Sequence, residues 1–350
     1  MDLCKRLDFS DKNILILSCG GGYDIYCGIP VYLECIDPNN NSKPRSVHLA
    51  SFSFTYNKYL SKFESFTKDS YIIKPNNSEI IMDDKLYFPE YRLCREIKDN
   101  IYATNTETDL QTYETFIRKI IDEKSIDVIF VIDGGCDSIL SGLEEDLATP
   151  VEDMMTIYLV RKLANEKKIK SYLGCLGVTV ELIAEGDFEK NVQRIKNNGG
   201  LLNSFSLQDI CQNKKQGWES IQRYIDIFMN CQTRSSIINS SIVSSLQGHE
   251  GKYINPLLLG RISLTSKNYP YLSEETSKLW VFDLETVANN VIYLNHFDNL
   301  ETNDDIDVFV MSLNYALWRS SYDLKDFYEK SQIDKVEPYV KDVLQIIKNV

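Results

Sequence analysis

Two glycine-rich segments of this sequence carry aspartates that could bind a metal ion or transfer a proton. Asp24 follows the run Gly20-Gly21-Gly22, and the segment Asp133-Gly134-Gly135-Cys136-Asp137 contains two more acids. Consecutive glycines allow positive φ angles and a close approach of the backbone to a ligand. Carboxylate oxygens bind Mg²⁺ well and also serve as general acids or bases. These residues predict a small-molecule site in which Asp24, Asp133 and Asp137 are catalytic.

The acids of the second segment favour a hard cation. Asp133 follows a strongly apolar run at residues 127–132, and an unpaired buried charge is costly, so this carboxylate needs a partner. Asp133 and Asp137 on one tight loop predict a Mg²⁺ site. The structural alternatives are that Asp133 accepts hydrogen bonds from loop amides and that Asp24 caps a helix. The predicted ligand-binding residues are Gly20, Gly21, Gly22, Gly134, Gly135, Glu144, Asp153, Thr233 and Ser236.

The elements that would position these residues alternate between strand and helix. The apolar run at residues 14–17 is typical of a strand covered on both faces, and the first glycine segment and a helix follow it. The same order recurs at residues 127–132 and 169–173. This alternation predicts an α/β, Rossmann-like fold with a mostly parallel sheet flanked by helices, whose strand-to-helix loops meet at one edge.

The remaining elements predict a single domain over residues 1–350, with its core in 13–200 and helical and closing elements in 201–350. Further strands are predicted at 45–54, 69–74 and 278–284. Helices are predicted at 29–36, 89–97, 109–123, 151–166, 188–197, 218–229, 233–246, 304–320 and 336–347. The C-terminal half is therefore expected to be largely helical.

Charge and composition exclude several classes of partner. A net charge of −13 without a basic patch disfavours nucleic acid and anionic membrane surfaces. No apolar segment approaches the roughly 18–20 residues of a membrane helix, and the N-terminus has no signal-peptide pattern. The nine cysteines form no CxxC pair, which is typical of reduced thiols. We therefore expect a cytoplasmic protein with a small-molecule ligand, and homo-oligomers are common among such enzymes.

Two other groups of residues could carry chemistry. Cys19, Cys136 and Cys175 lie in the glycine-rich segments, where helix N-termini could stabilise a thiolate nucleophile, although buried cysteine is usually apolar filler. Hydroxyl groups of Thr233, Ser235 and Ser236 flank Arg234 at a predicted helix start, which suits a phosphate or carboxylate. Helix capping and close helix packing explain the same hydroxyl groups without a ligand.

Several motifs in this order resemble the family called domain of unknown function 1152. They are GGGYDIYCGIP, VIDGGCDSILSGLEEDLATPVED, TRSSIINSSIVSSLQGHEG and LWVFDLETVA, and the resemblance spans residues 13–294. It implies a single Rossmann-like domain and carries no established reaction. The residues that fall on the family's motif positions are Gly20, Gly21, Gly22, Asp24, Asp133, Gly134, Gly135, Asp137, Glu144, Pro150, Asp153 and Thr233.

Three functions are compatible with the sequence. The first is an enzyme that binds a phosphorylated or nucleotide-like molecule and uses carboxylates or Mg²⁺ for hydrolysis or group transfer. The second is a sensor or carrier that binds a metabolite without converting it. The third is a cysteine-dependent transferase that uses Cys136 or Cys19. An ordinary dinucleotide or P-loop site is disfavoured, because Ile25 replaces the last glycine of GxGxxG and no Lys-Ser/Thr pair follows.

Overall fold

The computed structural model describes most of the chain. The described residues are 3–80, 86–105, 108–144, 150–180, 186–210, 214–232, 235–262, 270–300, 305–306, 308–309, 339 and 343–346. The strands are β1 (Asn13–Gly21), β2 (Ser46–Ser53), β3 (Glu64–Thr67), β4 (Ser70–Ile73), β5 (Ile101–Asn105), β6 (Val128–Gly134), β7 (Lys170–Leu176), β8 (Leu201–Ser206), β9 (Gly251–Lys252), β10 (Tyr271–Leu272) and β11 (Lys278–Asp283). The α-helices are α1 (Leu3–Arg6), α2 (Asp24–Cys27), α3 (Ile29–Ile36), α4 (Asn57–Leu60), α5 (Pro89–Ile97), α6 (Leu110–Lys124), α7 (Pro150–Lys167), α8 (Asp187–Asn197), α9 (Leu207–Ile210), α10 (Lys214–Cys231), α11 (Ile237–Leu246) and α12 (Leu284–Asn290).

Nine of these strands form one mixed sheet in the order β3-β4-β5-β2-β1-β6-β7-β11-β8. The central strands β5, β2, β1, β6 and β7 run parallel, whereas β11 is antiparallel to both of its neighbours and β3 and β4 form an antiparallel edge. The chain proceeds outward from β1 through β2 to β5 on one side and through β6 to β7 on the other. The order of connection therefore reverses between β1 and β6, and such a switch point opens a crevice at the carboxyl ends of the strands.

Apolar side chains cover both faces of the sheet. On β1, Leu15 and Leu17 pack on one face with α6, α7 and α12, while Ile14 and Ile16 pack on the other with α3, α5 and α10. On β6, Val131 and Ile132 divide between the faces in the same way. Continuous burial on both faces explains why these strands are unbroken apolar runs rather than alternating ones.

The predicted α/β, Rossmann-like fold is confirmed, and two helices, Ile29–Ile36 and Pro89–Ile97, have the predicted bounds. Strands β1 and β7 continue into their glycines, so the predicted loops began too early. The short strands β3, β5 and β8 were missed. β8 alternates between exposed and half-buried residues along most of its length and has no apolar run, and it carries the central sheet beyond the predicted core of residues 13–200.

The predicted helix at 233–246 begins at Ile237 in the structure, and residues 233–234 lie outside the described part of the chain. The predicted helices at 304–320 and 336–347 lie almost wholly outside it as well. None of the helices within the described residues has the length and apolarity needed to cross a membrane.

Candidate metal centre

Three aspartates converge at the switch point between β1 and β6. Asp133 is near the end of β6, Asp137 begins a 3-10 turn that follows, and Asp153 lies in the first turn of α7. One carboxylate oxygen from each lies within 4.8 Å of the other two. Their exposed fractions are only 2%, 2% and 5%, so all three acids are buried together. The structure brings together the predicted pair Asp133 and Asp137 and adds Asp153, which was predicted as a ligand-binding residue but not as a metal ligand.

Asp24 is the fourth member of what we call the aspartate cluster (Asp24, Asp133, Asp137 and Asp153). It is the first residue of α2, and its side chain forms no capping hydrogen bond, because the cap position belongs to Tyr23. A Cβ atom on Gly20 would lie 2.5 Å from Asp24 Oδ2 and 2.6 Å from Asp153 Oδ1, so these two oxygens face each other across Gly20. Asp24 is half-buried and therefore forms the side of the cluster open to solvent.

Gly20 and Gly134 are glycines because carboxylates occupy the space of their side chains. The Cβ position of Gly134 lies 2.7 Å from Asp24 Oδ1, while Gly20 faces Asp24 and Asp153. The sequence suggested that these glycines let a ligand approach the backbone. In the structure they leave room for the acids from the end of β6, the turn after it, α2 and α7 to share one small volume.

Hydrogen bonds fix the buried acids in place. Ser138 donates its hydroxyl to Asp133 Oδ2, and its backbone N–H donates to the same oxygen at 3.4 Å. Asp137 and Asp153 share a hydrogen bond between their carboxyl groups. Sequence reasoning missed Ser138, although its place next to Asp137 in the loop after a buried strand was a usable signal.

Burial and mutual repulsion raise the pKa values of three of the clustered acids, Asp24, Asp133 and Asp153. Burial is the largest cause for Asp24, Asp133 and Asp153, and neighbouring carboxylates raise each of these pKa values further. In the described part of the chain no Lys, Arg or His forms an ion pair with these three acids. Among the described residues nothing positive offsets the charge of Asp24, Asp133 and Asp153, which therefore favour protonation or a bound cation. Three carboxylates within reach of one point form an all-oxygen donor set that fits a hard divalent ion such as Mg²⁺.

The other predicted glycines contact aromatic side chains or shape the loop. The Cβ positions of Gly21 and Gly22 point at Phe54, at 2.6 and 3.1 Å, and Gly22 also meets the hydroxyl of Tyr87. Gly22 and Gly135 have φ angles of 68° and 149°, which a residue with a Cβ rarely adopts. Phe54 remains 45% exposed, so a partly exposed aromatic ring covers Gly21 and Gly22, next to Gly20 beside the aspartate cluster.

Glu144 lies beside the cluster, but its carboxylate is occupied by its own loop. It accepts hydrogen bonds from the backbone N–H groups of Ser141, Gly142 and Leu143 at 2.9–3.0 Å, and from Asn191 Nδ2 at 2.7 Å. These bonds lower the Glu144 pKa although burial opposes them. The Glu144 carboxylate therefore anchors the loop over residues 141–144.

Ser236 lies at the start of α11, where Asn239 of the same helix donates to the carbonyl oxygen of Tyr23, the residue before Asp24, at 3.1 Å. Ser236 caps α11, because its hydroxyl accepts a hydrogen bond from the backbone N–H of Asn239 at 3.2 Å. Helix capping, one of the two interpretations of this segment, therefore accounts for Ser236. Thr233 lies outside the described residues.

The cysteines near the cluster are buried thiols. Burial raises the pKa values of Cys19 and Cys175, and the negative charges of Asp153 and Asp133 raise them further. Cys136 donates to the carbonyl oxygen of Val178 at 3.3 Å. A thiolate nucleophile needs the opposite environment, with positive charge and solvent access. The geometry therefore argues against a cysteine-dependent mechanism.

A separate cleft of about 550 Å³ lies at the other end of the sheet. Lys170 and Ser171, at the start of β7, line it together with Arg6, Asn165 and Asp283. The aspartate cluster lies at the carboxyl end of β6, five register positions away along the paired strands. The cleft is thus separate from the candidate metal centre. The buried acids with raised pKa values lie at the centre.

Comparison with known proteins identifies the family of this chain. No curated protein and no solved structure matches the chain. A family model described as Protein of unknown function (DUF1152) matches residues 56–253, which include Asp133, Asp137 and Asp153 but not Asp24. The matched segment is more than half of the 350 residues. The chain therefore belongs to the DUF1152 family.

Proposed function

We propose that this protein is an enzyme that binds a phosphorylated or nucleotide-like small molecule at the aspartate cluster and hydrolyses it or transfers a group from it with the help of Mg²⁺. The observation that carries the proposal is the convergence of three buried carboxylate oxygens within 4.8 Å of one another. A fourth acid, Asp24, adjoins them on the solvent side. The location at a topological switch point supports a ligand site, since open α/β sheets bind ligands there.

A cation explains why the fold tolerates these acids. Burying several carboxylates without compensation costs several kcal/mol per ion, at about the scale of a domain's whole stability. Asp133, Asp137 and Asp153 would hold the Mg²⁺, and Ser138 keeps Asp133 oriented toward it. When bound there, Mg²⁺ would supply positive charge that stabilises a phosphoryl group in the transition state.

Asp24 has the properties of a general acid. Burial and the neighbouring carboxylates raise its pKa, which favours a protonated side chain that could act as a general acid. It is half-buried, whereas the other three acids are almost fully enclosed. A ligand entering from solvent would therefore meet Asp24 first, beside the ring of Phe54.

A cytoplasmic location is part of the proposal. All cysteines within the described residues are free thiols, which suits a reducing compartment.

Metal titration tests the centre. We expect the wild-type protein to bind one Mn²⁺, used as a paramagnetic substitute for Mg²⁺, with at least 10-fold loss of affinity in Asp153→Asn. Asp209→Asn removes one exposed carboxylate on α9 that is not a member of the cluster, and it serves as the matched control. Equal Mn²⁺ affinity in Asp153→Asn and the control would refute the metal centre.

Product analysis tests catalysis. The Mg²⁺-loaded protein is incubated with sugar phosphates, nucleotides and p-nitrophenyl phosphate, and substrates and products are quantified. We expect turnover that is lost in Asp24→Asn while Mn²⁺ affinity is retained. Binding of a compound without conversion, in wild type and variant alike, would contradict catalysis and favour a sensor or carrier.

A further inference from the structure

Tyr293 brings a polar group to the aspartate cluster from a distant part of the chain. It lies just after α12, in a segment that the sequence did not connect with the site. Its side chain is fully buried, and within the described residues its hydroxyl makes no hydrogen bond. More than nine-tenths of buried polar groups in folded proteins have a partner, and leaving one unsatisfied destabilises the fold. With no partner among the described residues, this buried hydroxyl is available to a ligand.

The orientation of Tyr293 is fixed by the loop over residues 141–144. The backbone N–H of Ile292 donates to the carbonyl oxygen of Ser141 at 3.0 Å. A Cβ atom on Gly142 would lie 2.5 Å from Tyr293 Cδ1, so the ring packs directly on this glycine, whose φ angle is 93°. Glu144 in turn holds Gly142 through its backbone N–H. The loop and the tyrosine therefore form one rigid unit.

Tyr293 packs in the same apolar core as Ile139 and Met154, which follow Ser138 and Asp153 in the chain. Burial raises its pKa, and the charges of Glu144, Asp137 and Asp153 raise it further, in that order. The tyrosine is therefore a neutral hydrogen-bond donor close to the carboxylates. Glu144 does not serve as its acceptor, because no hydrogen bond joins the two groups and loop amides and Asn191 occupy the carboxylate.

We infer that Tyr293 is a ligand-binding residue of this site and that its hydroxyl donates a hydrogen bond to an oxygen of the phosphoryl group held by the metal ion. This inference rests on the proposed function and deepens it, because it assigns the ligand an anionic oxygen at a defined place beside Asp137 and Asp153. A neutral hydroxyl donor suits this position. It can bind an anionic oxygen, and unlike a Lys or Arg side chain it does not compete with the metal ion for the carboxylates.

Phosphate binding to the metal-loaded protein tests the inference, with inorganic phosphate as the probe. Tyr293→Phe removes the hydroxyl and keeps the ring that packs on Gly142. We expect Mn²⁺ affinity to stay unchanged while phosphate affinity for the Mn²⁺-loaded protein falls roughly 10- to 100-fold, as expected for a hydrogen bond to a charged oxygen. The midpoint of thermal unfolding without ligand should stay equal or rise, since no hydrogen bond is lost.

Tyr224→Phe is the matched control. Tyr224 is as deeply buried, but its hydroxyl donates to Asn239 Oδ1 at 3.0 Å. This variant should lower the unfolding midpoint and leave phosphate affinity unchanged, which is the opposite pattern.

The outcomes separate the inference from the proposed function. If wild-type protein binds Mn²⁺ and phosphate, and Tyr293→Phe binds phosphate equally well, the inference is refuted and the metal centre stands. Mn²⁺ binding without any phosphate binding in the wild type also refutes the inference. If the wild type binds no Mn²⁺, the proposed function fails and the inference falls with it.

Discussion

The substitution Gly20→Ala tests whether the aspartates form one functional centre, because it disturbs their arrangement without removing a carboxylate. The new methyl group would lie 2.5 Å from Asp24 Oδ2 and 2.6 Å from Asp153 Oδ1, whereas ordinary van der Waals contact begins at 3.4 Å. Both acids must therefore move by roughly 1 Å. The contacts are with ends of side chains, so the strand itself can keep its place and the protein should still fold.

The expected magnitude follows from the cost of overpacking. An added methyl group in a packed region costs about 1–3 kcal/mol. If this cost is expressed mainly in the metal-bound state, where both carboxylates are held in one geometry, metal affinity falls about 5- to 150-fold. Part of the cost will also lower the free energy of unfolding of the metal-free protein, because the acids are confined even without an ion.

Calorimetric titration with Mn²⁺ and urea denaturation of the metal-free protein measure the two effects. Gly260→Ala is the control, since its Cβ would enter open space and its φ angle is not in the positive region. A Gly20→Ala variant with unchanged Mn²⁺ affinity would refute the geometry, and so would a loss of affinity equal to that of Gly260→Ala.

Three further predictions follow from the same geometry and electrostatics. Gly134→Ala would place a Cβ 2.7 Å from Asp24 Oδ1, so turnover should fall at least 10-fold while Mn²⁺ affinity changes less than in Gly20→Ala; the reverse order would contradict the role of Asp24. Burial raises the pKa of Glu90 to about 7 despite hydroxyl donors, so its protonated form stabilises the fold below pH 4.5 and that contribution disappears as pH rises through 7. Glu90→Gln should therefore gain up to about 3 kcal/mol over wild type between pH 5 and 8 in urea denaturation, and parallel pH curves would contradict this. Burial raises the pKa values of Cys19 and Cys175, so alkylation at pH 7 followed by mass spectrometry should label both slowly in the folded protein; rapid labelling of either would restore the cysteine mechanism.

Local patterns in the sequence determined the fold class and the place of the acids along the chain. Strands covered on both faces are unbroken apolar runs, so residues 14–17 and 127–132 identify β1 and β6 without further information. A carboxylate directly after such a run needs a partner, which singled out Asp133. The spacing of apolar residues likewise predicted α6, with bounds that differ by one residue at each end.

Only the tertiary structure decided which of these residues meet. Strand order depends on contacts between residues far apart in sequence, so no local pattern shows that β6 pairs with β1 and that Gly20 and Gly134 end up side by side. The same long-range packing brings Asp153 to Asp133 and Asp137 and brings Tyr293 to the loop over residues 141–144, because these segments approach one another in space alone. The sequence determined which residue types were available at each strand end, and the packing of the sheet determined the site.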